Sequence, residues 1–238
     1  MMKLVITSVY LWPMQSNKTK PKLSVFETFK TKRKELTGEA IRQRGIIVHL
    51  ATETIPTMRT RTSISHKLAE KNGTMWQNLY SGIFRDLDEI LLPLGIVEEA
   101  GRLPLKRGPK ALQENGVPYY QLTESGLLVA ASLEEMRNER PKIISEFYKK
   151  NSNSKDKEFE KVILTLLDVA PSFVSLLLRK YVEAFGLGKI DRLIPFDTDN
   201  MKNVVDDSIR IQREFLEGFS RLGNSDKEAV MNFFKKID

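Results

Sequence analysis

Thr74-Met75-Trp76-Gln77-Asn78-Leu79-Tyr80-Ser81-Gly82-Ile83-Phe84-Arg85-Asp86-Leu87-Asp88-Glu89-Ile90-Leu91-Leu92-Pro93-Leu94-Gly95 is the stretch on which the reading of this chain turns. Wound at about 100° per residue, it gathers Trp76, Leu79, Tyr80, Ile83, Leu87, Ile90 and Leu91 on one face. Thr74, Asn78, Ser81 and Arg85 fall on the other, with Gln77 at its border. Pro93 and Gly95 end the helix, the first because its ring cannot continue one and the second because it favours turns.

Upstream, Lys30 to Ala51 reads as a helix with Ile41, Ile46 or Ile47 and Leu50 inward. Ile64 to Lys71 reads as a short second helix, and Asn72-Gly73 as a tight turn suited to left-handed backbone. Downstream, a strand over Ile96 to Ala100 leads into a long turn rich in Gly, Pro and basic residues. A strand over Val117 to Leu122 follows, then a helix opening near Thr123-Glu124. The order is helix, helix, turn, helix, strand, basic loop, strand, helix.

That order, with three local motifs, resembles the winged-helix domains of bacterial and archaeal transcriptional regulators over residues 62–137. Ser65-His66-Lys67-Leu68-Ala69 sits where those families carry the short second helix. Leu87 to Glu98, ending Gly95-Ile96-Val97-Glu98, is similar to their exit from the recognition helix. Tyr119-Tyr120-Gln121-Leu122-Thr123-Glu124-Ser125-Gly126 resembles the tyrosine-x-leucine-threonine-x-x-glycine that closes the wing in multiple-antibiotic-resistance-type and phenolic-acid-type repressors. The resemblance implies a winged helix-turn-helix that binds duplex DNA.

The chemistry of the residues agrees with that expectation. A helix fits the major groove, where Asn or Gln can pair with adenine and Arg with guanine. Thr74, Gln77, Asn78, Ser81 and Arg85 supply such groups. Gly101 to Lys110 carries Arg102, Lys106, Arg107 and Lys110 with no acid, which suits contact with a phosphate backbone or a narrow minor groove. Arg59 and Arg61, just before the second helix, are further candidates for phosphate contact. For each of these features the alternative is an ordinary solvated helix face or a charged loop tip.

Net charge points the same way. The 238 residues carry 38 Lys and Arg against 31 Asp and Glu, +7 overall, which favours a polyanionic partner. The excess lies at the front: residues 1–65 hold twelve basic and four acidic side chains, 66–138 eight and ten, and 139–238 eighteen and seventeen. Residues 1–29 are therefore expected to be a basic N-terminal arm, with Leu4 to Trp12 as a short strand or a poorly ordered leader. Without cysteine there is no disulfide scaffold, thiol nucleophile or Cys-type zinc site.

Enzymatic readings find little to rest on. His49 and His66 have no histidine or cysteine partner at i, i+4 spacing, and no phosphate-binding glycine loop or nucleophile elbow occurs. Glu98-Glu99 and Asp206-Asp207 are sequence neighbours, which points their carboxylates apart and suits solvation rather than acid–base work. No catalytic residue, metal ligand or cofactor is expected.

Asn151-Ser152-Asn153-Ser154-Lys155-Asp156-Lys157 reads as a linker, extended to 138–157 by the Pro141 break. Beyond it, helical spacing covers Phe159 to Asp168, Ser172 to Phe185 with a break at Pro171, and Asn200 to Phe219. Ser225-Asp226-Lys227-Glu228 looks like the cap of a short last helix through Phe233 and Phe234. The apolar run Val162 to Gly188 is interrupted by Asp168, Pro171, Arg179, Lys180 and Glu183. It falls short of the about 20 continuous apolar residues a membrane span requires. The helical domain at 158–238 either closes its own core or buries its leucines and phenylalanines against a second subunit.

The expectation is thus a mainly α protein with a small β-hairpin, soluble and cytoplasmic: a winged-helix domain at 30–137 and a C-terminal helical domain, forming a homodimer. Its expected role is sequence-specific duplex DNA binding as a transcriptional regulator, with no catalysis, no membrane partner and no identified small-molecule effector. A winged-helix protein of replication or plasmid maintenance, or a protein–protein adaptor in a nucleic-acid complex, is the alternative.

Overall fold

The computed structural model describes residues 21–32, 34–73, 76–104, 115–150 and 157–237, and for residues 72 and 76–78 the backbone alone. Within these bounds the chain is mainly helical with one two-stranded antiparallel sheet. Helices α1 (Gly38–Thr52), α2 (Arg61–Asn72) and α3 (Trp76–Arg85) precede the hairpin of β1 (Val97–Leu103) and β2 (Val117–Leu122). After it come α4 (Glu124–Ser132), α5 (Arg140–Lys150), α6 (Lys157–Val169), α7 (Pro171–Gly186), α8 (Thr198–Lys202), α9 (Asp207–Arg221) and α10 (Asn224–Ile237).

Local chemistry sets most of the boundaries. Thr37 caps α1, its hydroxyl accepting from the Ala40 amide at 3.1 Å, so the helix starts at Gly38 rather than at the expected Lys30. Residues 27–37 instead close a small loop through Phe29 N–H to Glu35 O at 2.9 Å and Thr37 N–H to Glu27 O at 3.0 Å. The α1 core face comprises Ile46, Ile47 and Leu50; Ile41, expected inward, is 46% exposed. Thr60 caps α2, and Gly73 ends it in the left-handed conformation. Beyond Arg85 the third helix widens into one π turn over Asp86–Leu91, where Leu92 N–H donates to Leu87 O, five residues back, at 2.9 Å.

β1 runs two residues longer than its expected Ile96–Ala100 span would reach and is kinked by a bulge between Glu99 and Gly101. The strand pair then feeds α4 through Thr123. That hydroxyl accepts from the Gly126 amide at 3.1 Å and lies 2.6 Å from the Gly95 carbonyl, to which it donates. A Cβ on Gly126 would stand 2.1 Å from the Ile96 carbonyl oxygen, so only glycine lets α4 start this close to β1.

From Gly126 to Ser132 every residue of α4 is buried, as befits a helix that is apolar on all sides. It touches α1 and β2 on one side and α5 and α7 on the other. The hydrophobic core accordingly runs without a gap from Leu23 to Ile209. Two expected boundaries fall. The 138–157 linker is mostly α5, whose Ile143, Ile144, Phe147 and Tyr148 are core residues; 151–156 lie outside the described residues. The basic arm ends in a packed segment, for Leu23 and Val25 are buried and the Ser24 amide donates to Gln43 Oε1 at 2.9 Å. Leu4 to Trp12 lies outside the described residues.

In the C-terminal part, Pro171 opens α7 at a position where its missing N–H costs nothing. Tyr181 of α7 meets Phe196 at 5.0 Å between ring centroids, and Phe196 in turn meets Phe147 and Phe159. The Tyr181 hydroxyl donates to backbone carbonyls of Leu193 and Pro195. The single helix expected over Asn200 to Phe219 is two helices. Asp206 accepts from the Ser208 amide at 3.1 Å and caps a new helix, α9, after α8 has ended. The last helix begins at Asn224, one residue before the expected Ser225 cap.

Candidate nucleic-acid interface

The expected contact residues sort into three groups by what their side chains already do. The first serves the fold. Arg59 donates through Nε to the Glu53 carbonyl at 2.7 Å, tying the turn Pro56–Arg59 to the end of α1. Arg61, the first residue of α2, lies with its guanidinium 4.3 Å from the Phe84 ring centroid and 5.2 Å from that of Tyr120, and donates to Asp88. One guanidinium therefore joins α2, the third helix and β2. Burial pushes the Tyr120 phenol up to about 12 against the opposing charge of Arg61, so it stays neutral.

A second group stands exposed. Ser81 faces solvent on α3. Arg85 is about half exposed, and its nearest carboxylates are Glu39 at 3.9 Å and Asp86 at 3.8 Å, too far for strong hydrogen bonds. Arg102 of β1 is exposed but engaged, with Nε 2.6 Å and Nη2 3.0 Å from the two Glu99 carboxylate oxygens. The bulge sets this pair, since it brings positions 99 and 102 to one side of the strand.

Thr74, Lys106, Arg107 and Lys110 form the third group and lie outside the described residues; the side chains of Gln77 and Asn78 do too, although both sit on the α3 backbone.

The residues that hold this surface in shape were not on the sequence list. Asp86, fully buried at the start of the π turn, takes the Arg42 guanidinium at 2.7 and 3.4 Å. Burial pushes its carboxyl up and the Arg42 contact opposes this. Gly82 makes room: a Cβ there would come 2.8 Å from Arg42 Nε. Thus α1 reaches across α3 to its far end and fixes the helix from beneath, while Arg61 fixes the hairpin beside it. A glycine in mid-helix opposite an arginine two helices earlier is the sequence signal for this contact.

Thr60 and Tyr119 also form an isolated antiparallel bridge, a second tie between the start of α2 and the hairpin. The outer side of α3 and the root of the hairpin therefore belong to one packed unit. Chemically this surface offers hydroxyl and guanidinium donors. Among the described residues no group of three or more His, Asp or Glu side chains could hold a metal ion, and no helix is long and apolar enough to cross a membrane. His49 spends its Nε2 on the Met58 carbonyl at 2.8 Å, a structural contact. Compared with known proteins, the chain matches no family model, no curated protein and no solved structure.

Proposed function

We propose that residues 30–137 act as a winged-helix domain that binds duplex DNA through α3 and the β1–β2 hairpin, and that the protein is a transcriptional regulator working as a homodimer. The observation that carries this reading is the division among its arginines. Arg42, Arg59 and Arg61 are spent inside the fold through close hydrogen bonds, whereas Arg85 is about half exposed on α3 and comes no nearer than 3.8 Å to a carboxylate of Glu39 or Asp86. A rigidly supported helix with a half-exposed arginine and an exposed Ser81 suits insertion into a major groove, where preformed geometry limits the entropy lost on binding. The neighbouring stretch 102–110 adds four cations and no acid, which suits phosphate contact.

The test is a titration of labelled duplex by fluorescence anisotropy over a range of salt. Binding is expected to weaken linearly on logarithmic axes as salt rises. Replacing Arg102, Lys106, Arg107 and Lys110 together by alanine is expected to flatten that line by roughly one slope unit per lost phosphate contact. An unchanged slope removes the hairpin from the interface, and no salt-dependent binding by the intact protein overturns the reading.

A further inference from the structure

The last two helices differ from the rest of the molecule. Of α9 only Ile209 is buried, and of α10 nothing is, yet both are strongly amphipathic. Ile211, Phe215 and Leu216 of α9 and Phe233, Phe234 and Ile237 of α10 are between 44% and 67% exposed. The two helices meet through Phe215 and Phe234, 5.7 Å apart edge to face, and leave between them an open groove lined by Phe219, Leu222 and Val230. A helix whose apolar stripe faces water has not found its cover.

We infer that the cover is the same hairpin of a second copy, the two α9–α10 pairs closing into an intermolecular four-helix bundle. Three features select a second copy over another partner. Together with Met231, seven apolar side chains of the two helices are 44% or more exposed, an apolar patch of the kind that marks an interface. The charges of α9 cancel, Asp207, Glu214 and Glu217 against Arg210, Arg213 and Arg221, and those of α10 nearly do, Asp226 and Glu228 against Lys227, Lys235 and Lys236, so the pair meets its own image with little repulsion and offers no strong field to a charged partner. Arg213 and Glu217 pair along their own helix at 3.6 Å, neutralising each other. Finally, α6 and α7 already bury Ile163, Leu167, Val174, Leu178 and Tyr181 in the core of their own chain, and of α9 and α10 only Ile209 joins that core.

This deepens the homodimer part of the proposed function by assigning it to α9–α10 and removing α6–α7 from the contact. Two-fold pairing of one patch with itself is the commonest closed symmetry and matches two half-sites on a duplex.

Light scattering of the intact protein at micromolar concentration, without DNA, is expected to give twice the 27.3 kDa chain mass. The double variant Ile211→Glu/Phe215→Glu is expected to halve that mass while circular dichroism keeps its helical signal, since both positions are exposed within one chain. Val169→Glu, at a position 73% exposed on α6, is expected to leave the mass unchanged. A monomeric intact chain overturns the inference, and so does a double variant that stays dimeric. The DNA reading is tested apart from it, because the monomeric variant is expected to bind a single half-site duplex with the salt slope of the intact protein.

Discussion

α7 and α9 are of nearly equal length, both are amphipathic and both carry leucine and aromatic residues at helical spacing, yet one is core and the other is surface. α7 buries Val174, Leu177, Leu178, Tyr181 and Val182, whereas α9 buries Ile209 alone. Propensity and pattern do not separate them. What separates them is what other segments bring: α4, α6 and the packed segment around Leu23 close over α7, while α9 buries Ile209 alone and meets α10 through Phe215 and Phe234. An apolar stripe therefore states that a face is to be covered and leaves open by what.

The largest expected effect breaks this comparison on the α7 side. Tyr181→Ala removes the centre of the aromatic cluster with Phe196 and the two carbonyl contacts of its hydroxyl, and is expected to cost about 3–5 kcal/mol in chemical denaturation, independent of protein concentration. Phe215→Ala, a deletion of similar size, is expected to lower the melting temperature only by shifting the dimer equilibrium, so its effect grows with protein concentration. Equal and concentration-independent losses for the two variants would erase the distinction between the helices.

The same contrast between spent and unspent groups divides the arginines. Arg61→Ala is expected to cost about 1.5–3 kcal/mol of stability, because it leaves Asp88 without its guanidinium and loosens Tyr120 of the hairpin. As a residue facing inward, it should leave the salt slope of duplex binding unchanged. A slope reduced by about one unit would make Arg61 a phosphate contact after all.

Why part of this was legible in the sequence and part was not follows from how far apart the deciding residues lie. Thr123 and Gly126 announce a capped helix packed against a strand, since cap and close approach involve residues within one turn or across one strand end. Asn72-Gly73 marks its turn for the same reason. The fate of Arg61 depends on Phe84, Asp88 and Tyr120, three positions from two other elements, so nothing local distinguishes it from Arg85. The buried Arg42–Asp86 pair is equally non-local. Helical periodicity also runs straight through Asp206, because Met201, Val204 and Val205 keep apolar spacing up to a residue whose side chain ends the run by capping the next one. Nothing in the periodicity told Ile41 from Ile46: both keep the α1 spacing, and only the neighbours that other segments bring bury one and leave the other in water.

The smallest expected effect lies at the joint between the two helices compared. Lys180 of α7 holds Asp206 Oδ2 at 2.8 Å, while Asp206 Oδ1 accepts from the Ser208 amide at 3.1 Å at the start of α9. The Lys180 ammonium, followed by the Ser208 hydroxyl and the backbone amide of Ile209, pulls this carboxyl well below the usual aspartate range. A carboxyl depressed by folding contributes stability that is complete above its unfolded value of about 4 and is lost as pH falls through its folded value. Acidification should therefore release the cap of α9 while α7, whose core face holds no comparable group, stays closed. Hydrogen exchange at the Ser208 and Ile209 amides is expected to speed up toward acid pH beyond the intrinsic change, with the Tyr181 amide unaffected. Asp206→Asn keeps a capping oxygen but has no charge to lose, so its exchange is expected to follow the intrinsic pH dependence alone. If the intact protein and Asp206→Asn show the same pH profile at Ser208, the Lys180 contact does not anchor α9 to the body.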